Sequence, residues 1–153
     1  MPYVLEILKE FKLLNATPVT IPMNPKESWE PTDTNIMLSE IKIYQKAICK
    51  LMYLMLASRP DISYAITKLA QYASAPTLRH WNGVLRIMGY LKSHESVRLC
   101  LRNNPLPIDN LVPPTNLIGY FDTSLMNCTA SRRSKGGYVF FYDGSVISWK
   151  SKK

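Results

Sequence analysis

Between Tyr44 and Lys92 the chain carries three helical patterns in succession: YQKAICKLMYLMLASRP, DISYAITKLAQYASAP and TLRHWNGVLRIMGYLK. No other segment is periodic for as long. In the first, Ile41, Tyr44, Ile48, Leu51 and Met55 recur at steps of three and four, which puts them on one helix face. Arg59-Pro60-Asp61 interrupts the pattern, because proline cannot continue a helix but suits the first turn of the next. The second stripe is Ile62, Ala65, Ile66, Leu69 and Tyr72, ending near Pro76, and the third is Leu78, Trp81, Leu85, Met88 and Leu91. Three apolar stripes on short proline-bounded connections leave water only by facing one another. A small helical bundle is expected.

The flanks are organised differently. Tyr3 to Leu14 reads as a short amphipathic helix with Val4, Leu5, Leu8 and Phe11 inward. Asn15 to Glu40 holds Pro18, Pro22, Pro25 and Pro31 among polar residues, so it is expected to be an extended connector. Structureless loops beyond about 12–15 residues are uncommon inside compact domains, so this one marks a boundary. Val97 to Leu101 alternates weakly as a short strand, and Asn103 to Thr115, with four prolines, reads as a second linker. Beyond it the period becomes two. Leu117 to Asp122 is a strand ending on a carboxylate, Gly137 to Tyr142 a second and Ser145 to Trp149 a third. Asp143-Gly144 between the last two suits a two-residue hairpin turn. The fold class is α+β, divided as 1–40 (helix and connector), 41–96 (helical lobe) and 97–153 (short strand, linker and a mixed or antiparallel three-stranded sheet). Three strands with no covering helix cannot bury both faces, so the sheet is incomplete.

Nineteen lysines and arginines against eleven acids give a net charge of +8, which favours a polyanionic partner, nucleic acid before membrane; a basic surface that is merely soluble is the plainer alternative. Cys49, Cys100 and Cys128 are odd in number and widely spaced, which supports neither a zinc site nor a disulfide framework. They read as small apolar residues in a reducing compartment. Glu6, Lys9 and Glu10 interrupt the opening apolar pattern, unlike a secretory signal. The run from Leu51 to Ala57 falls far short of the roughly 20 residues a membrane span needs. An intracellular, soluble chain with no membrane partner is expected.

Each candidate site residue has two readings. Arg79, Arg86 and Lys92 fall along one side of the third helix, where they would lie on duplex phosphates or form a solvated face. His80 would approach a phosphate, or cap the helix and pack beside Trp81. Arg132 and Arg133, in the loop after Asp122, suit a duplex backbone or nothing in particular. Arg59 and Asp61 are explained by a helix cap and a local ion pair.

Several phrases carry a resemblance. YVLEILKEFKLLNATPVTIPM, YQKAICKLMYL, RPDISYAI, the pair His80-Trp81 four residues after Pro76, GYLKS, LIGYFD and RRSKGGYVFFYDGSVISWKSKK occur in order over almost the whole chain. They resemble the Pol polyprotein of copia-type LTR retrotransposons downstream of the polymerase active site. The resemblance implies a thumb-like helical bundle followed by the start of a ribonuclease H-like sheet. It also implies a parent activity of RNA-directed DNA polymerase and ribonuclease H with Mg2+. Polymerase chemistry needs the Y-x-D-D carboxylates, which do not occur here. Asp122 matches the first ribonuclease H carboxylate, but the family's next acids come from later segments, so the Mg2+ site is incomplete, no cofactor is expected and Asp122 is a remnant. The chain departs from the family in three places. Asp122-Thr123-Ser124-Leu125 stands for D-A-D-W-A, Cys49-Lys50 for Gly-Ser, and Ser134-Lys135-Gly136-Gly137 for S-T-S-G. These departures resemble drift in a truncated, degenerate copy. Three functions follow as expectations. One is an inactive Pol fragment gripping RNA–DNA hybrid or DNA duplex, another a nuclease half-site completed by a partner chain. The last is an interaction module that self-associates through its sheet edge.

Overall fold

The computed structural model describes residues 2–24, 27–30, 39–97, 99–101, 117–124 and 134–152. The chain divides into two compact units, 1–98 and 99–153.

The first unit holds four helices: α1 (Pro2–Glu10), α2 (Ile41–Ala57), α3 (Ser63–Ala70) and α4 (Leu78–Ser93). Pro60–Ile62 forms a 3-10 turn between α2 and α3, with the proline at its start as expected. The α2 stripe buries Tyr44, Ile48, Leu51 and Met55, and the α3 stripe buries Ile62, Ala65, Ile66 and Leu69. The hydroxyl of Tyr44 donates to the Leu69 carbonyl (2.8 Å), joining the two helices inside the core.

Two stripes are rotated from their expected phase. In α1 it is Ile7 that is buried with Val4 and Leu8, while Leu5 is exposed, because 4, 7, 8 and 11 share a face and 5 does not. In α4 the buried residues are His80, Gly83, Val84, Ile87, Met88, Gly89 and Leu91. Leu78 is exposed, and Trp81 and Leu85 lie at the margin. Helix α1 ends before Leu14. Lys12 takes a left-handed conformation (φ 57°), and the Leu13 amide donates to Leu8 O (2.7 Å) and that of Lys12 to Lys9 O (3.1 Å). That is a Schellman closure with lysine in the position glycine usually holds. The expected strand at 97–101 does not form among its described residues, because the Val97 amide folds back onto the His94 carbonyl (3.1 Å).

The connector after α1 contains neither helix nor strand among its described residues, as its prolines dictate. It is nonetheless packed. Met23 and Trp29 belong to the core cluster, and Glu30 pairs with the nearly buried Lys68 (3.7 Å). Residues 14–24 and 27–30 act as a strap against α4 and α3.

The second unit holds β1 (Leu117–Ser124), β2 (Lys135–Tyr142) and β3 (Ser145–Lys152) in the order β1-β2-β3. Both pairings are antiparallel, so the sheet is open and antiparallel rather than mixed. Asp143 (φ 46°) and Gly144 (φ 74°) form the hairpin turn, with the two positive φ values of a type I′ turn. The register shifts between Phe140 and Phe141, leaving Ile147 as a bulged residue in β3. Gly119 stands opposite Phe140, whose ring lies where a Cβ would be, 2.5 Å from that position. No apolar side chain of this unit is buried among the described residues.

The linker expected at 103–115, Cys128 and the greater part of the loop after Asp122 lie outside the described residues. Cys49 and Cys100 are exposed, not packed as small apolar groups: Cys49 sits on the outward face of α2, one residue beyond the buried Ile48.

Candidate nucleic-acid interface

Helix α4 starts at Thr77, whose extended backbone (φ −103°, ψ 169°) turns the chain into the first helical turn. The Thr77 amide donates to Nδ1 of His80 (2.9 Å), so histidine takes the part that glutamate or glutamine plays in a capping box. Since Nδ1 accepts, Nε2 carries the hydrogen and donates to the Trp29 carbonyl (2.8 Å). The ring is fully buried and stacks on Tyr72 (centroids 4.0 Å, 11°). Both nitrogens are occupied, so His80 caps and packs, and the phosphate contact considered for it is not available to it.

Burial lowers the pKa of His80, with the Trp29 carbonyl only partly offsetting the cost of desolvation. The neutral ring fits the network, whereas an added Nδ1 proton would face the Thr77 amide. Below about pH 6.5 the unfolded chain takes up a proton that the folded chain resists, so stability falls as pH drops through that window. His80→Gln keeps an acceptor at the cap and removes the titration. Its unfolding midpoint in urea is expected to change less between about pH 7.5 and 5.5 than that of the unaltered chain. Equal slopes in the two proteins would refute the assignment.

The row expected to face phosphates faces the strap. Arg79 Nη2 donates to Glu27 Oε1 (3.3 Å), and its guanidinium lies over the Trp29 ring (5.8 Å). Arg86 Nε donates to the Ile21 carbonyl (3.3 Å), and Lys92 Nζ donates to the carbonyls of Leu14 and Ala16. Two glycines let the strap come this close. A Cβ on Gly83 would lie 2.7 Å from the Trp29 ring, and one on Gly89 would lie 2.9 Å from the Thr17 carbonyl. Ser93 Oγ completes the seam by accepting from the Val19 amide (2.9 Å). The three cations are half-exposed. A guanidinium carries five N–H donors, of which the hydrogen bond to the strap uses one in Arg79 and one in Arg86.

Arg59 and Asp61 form more than a local pair. Arg59 is fully buried. Its Nε and Nη2 grip the Asp61 carboxylate (3.0 and 2.7 Å), and its Nη1 donates to the His94 carbonyl at the end of α4 (3.0 Å). The Tyr90 hydroxyl donates to Asp61 Oδ2 (2.9 Å). The helix cap expected of Asp61 is absent, since Ile62 holds the N-cap position of α3 and the carboxylate turns to Arg59 and Tyr90. This network and the strap are what sequence reasoning missed. A lone Trp29 in a polar, proline-rich stretch, with glycines six apart in α4, was the available signal.

Asp122 lies within β1, two residues before its end, opposite Gly137 of β2 and exposed to solvent. The other acid between residues 117 and 153, Asp143, follows Tyr142, which pairs with Leu117 at the far end of the sheet. Five residue steps separate those positions along β2, about 17 Å at the usual rise per residue. Among the described residues no three His, Cys, Asp or Glu side chains come together. Two divalent ions need several carboxylates, so this donor set does not fit the parent family's Mg2+ pair. Arg132 and Arg133 lie outside the described residues. No helix among the described residues is long and apolar enough to cross a membrane.

The chain is 31% identical to a retrovirus-related Pol polyprotein from transposon TNT 1-94 of Nicotiana tabacum, over 98% of this chain and 11% of that protein. It is 32% identical to the corresponding polyprotein from transposon RE2 of Arabidopsis thaliana, over 99% of this chain and 10% of that protein. The chain belongs to the copia-type retrotransposon Pol family. It spans about a tenth of the length of these Pol polyproteins. A secreted RxLR effector protein 161 of Plasmopara viticola is 36% identical over 72% of each chain, within the stretch the Pol relatives also match. No family model matches the chain, and no solved structure does.

Proposed function

We propose that this Pol segment runs from the reverse-transcriptase thumb into the opening of the ribonuclease H domain, and that it holds a nucleic-acid duplex without cutting or extending it. The end-to-end likeness to transposon Pol polyproteins carries this reading. The net charge of +8 supports it, because phosphate contacts are electrostatic and blind to sequence. The strap supports it as well. By fixing one N–H of Arg79 and one of Arg86, it spaces the two guanidiniums along α4 with donors left to meet a backbone. Among the described residues no cluster of acids forms around Asp122 that could grip two metal ions, which supports binding without cleavage.

Duplex binding measured over a range of salt tests this. Affinity is expected to fall steeply with salt, and Arg86→Gln to reduce the slope of log K against log salt by about one. Affinity indifferent to salt would remove the duplex from the account. The competing reading, a nuclease half-site completed by a second chain, predicts Mg2+-dependent cleavage of an RNA–DNA hybrid that disappears in Asp122→Asn. The expected result is an intact hybrid with both proteins.

A further inference from the structure

The cations along α4 are not held alike. Arg86 and Lys92 donate to backbone carbonyls of the strap, neutral groups that leave both positive charges standing. Arg79 donates instead to the Glu27 carboxylate (3.3 Å), a full negative charge. The amide of Glu27 donates to the Asn24 carbonyl (3.2 Å), so a backbone turn sets that carboxylate in place. Between residues 14 and 30 the chain holds two acids, Glu27 and Glu30, and the second also faces a cation, Lys68 of α3 (3.7 Å). Lys68 is nearly buried, whereas Arg79 and Glu27 keep 34% and 33% of their side chains in solvent. A phosphate arriving at Arg79 therefore meets both charges of the pair.

We infer that Glu27 is a built-in competitor of the phosphate backbone, withholding Arg79 from the duplex and leaving the working charge of α4 to Arg86 and Lys92. The inference rests on duplex binding through α4 and adds the residue that limits it. A phosphate contact gains affinity when a protein cation neutralises the phosphate and the counterions condensed on the nucleic acid are released. At Arg79 a carboxylate already occupies the cation. A phosphate placed there must displace Glu27 or accept a like charge at close range, and either course offsets the gain. Arg86 and Lys92 have no such opponent on the strap, because a carbonyl takes up an N–H without cancelling the charge. Ion pairs this exposed add little to stability. The effect of the Glu27 carboxylate therefore falls on binding and not on the fold.

Fluorescence anisotropy of a labelled RNA–DNA hybrid, titrated with the intact chain over a range of salt, tests this. Glu27→Gln keeps the shape of the side chain and removes its charge. It should tighten binding about threefold or more at low salt and steepen the slope of log K against log salt by about one. Arg79→Gln should cost less of that slope than Arg86→Gln. In Glu27→Gln/Arg79→Gln the gain should vanish, because it acts through Arg79. Glu6→Gln is the control: it makes the same change in net charge on α1, where Lys50 keeps Glu10 (2.9 Å) as its partner, and it should leave the slope unchanged. Salt-dependent binding by the unaltered chain, with Glu27→Gln no tighter than Glu6→Gln, would overturn the inference and leave duplex binding standing. So would a gain that survives the loss of Arg79, or equal costs for Arg79→Gln and Arg86→Gln. If neither the unaltered chain nor Glu27→Gln bound the hybrid at any salt, duplex binding and the inference would fall together.

Discussion

Asp61→Ala is expected to destabilise the helical unit by about 3–5 kcal/mol, the cost of leaving a buried charge without its partner. Arg59 has no exposure to water, and its guanidinium is satisfied by Asp61 and the His94 carbonyl. Removing the carboxylate strands the cation where no solvent reaches it. The reverse change is gentler. Arg59→Met leaves Asp61 with about a quarter of its side chain exposed and a hydrogen bond from Tyr90, so it is expected to cost clearly less. Urea unfolding of the two variants gives the comparison, and a smaller cost for Asp61→Ala than for Arg59→Met would contradict the account. Acid should reproduce the loss. Burial alone would raise the Asp61 pKa, but the hydrogen bonds and charge of Arg59, with the hydroxyl of Tyr90, outweigh it and hold the carboxyl below its ordinary value. The pair's contribution is therefore complete above the unfolded carboxyl pKa near 3.9, and is lost as pH falls through the lower folded value.

Trp29→Ala is the second large effect, about 3–5 kcal/mol, the range for deleting a buried aromatic ring. The ring is 4% exposed and packs over Gly83 and towards Leu69 and His80. Its loss opens a void between the strap and two helices, and it weakens the seating of the Trp29 carbonyl on His80 Nε2. The signature is local as well as global: amides of the strap and of the first turn of α4 should exchange faster than those of α2. A cost below about 1 kcal/mol would show that the void collapses or that the ring is loosely held.

The bundle was legible because α2 and α3 are packed along one face, so their stripes matched their spacing. Helix α4 was less so. It is covered by helices on one side and by the strap on another, and the buried face that results includes His80, Gly83 and Gly89, none of which reads as apolar. The hairpin was legible because Asp143-Gly144 is a local device whose geometry needs nothing from elsewhere. The strap was not. Proline and polar composition correctly excluded helix and strand from it, but composition does not reveal that a loop without secondary structure can still be fastened along its length by side chains fifty or more residues away. The charged row on α4 shows the same limit: spacing put Arg79, Arg86 and Lys92 on one side, and only the fold shows what lies against them.

The strap's fastenings span long intervals of chain. Glu27 reaches Arg79 across 52 positions, Ile21 reaches Arg86 across 65 and Val19 reaches Ser93 across 74. Closing such wide loops carries an entropic cost that local helical turns do not, and contacts of this kind slow folding. In chain order the strap precedes α4, with 51 positions between Trp29 and His80, so the contacts of Trp29 with Gly83 and His80 form only once α4 is present. The strap is therefore expected to close late, once α4 is in place to receive it.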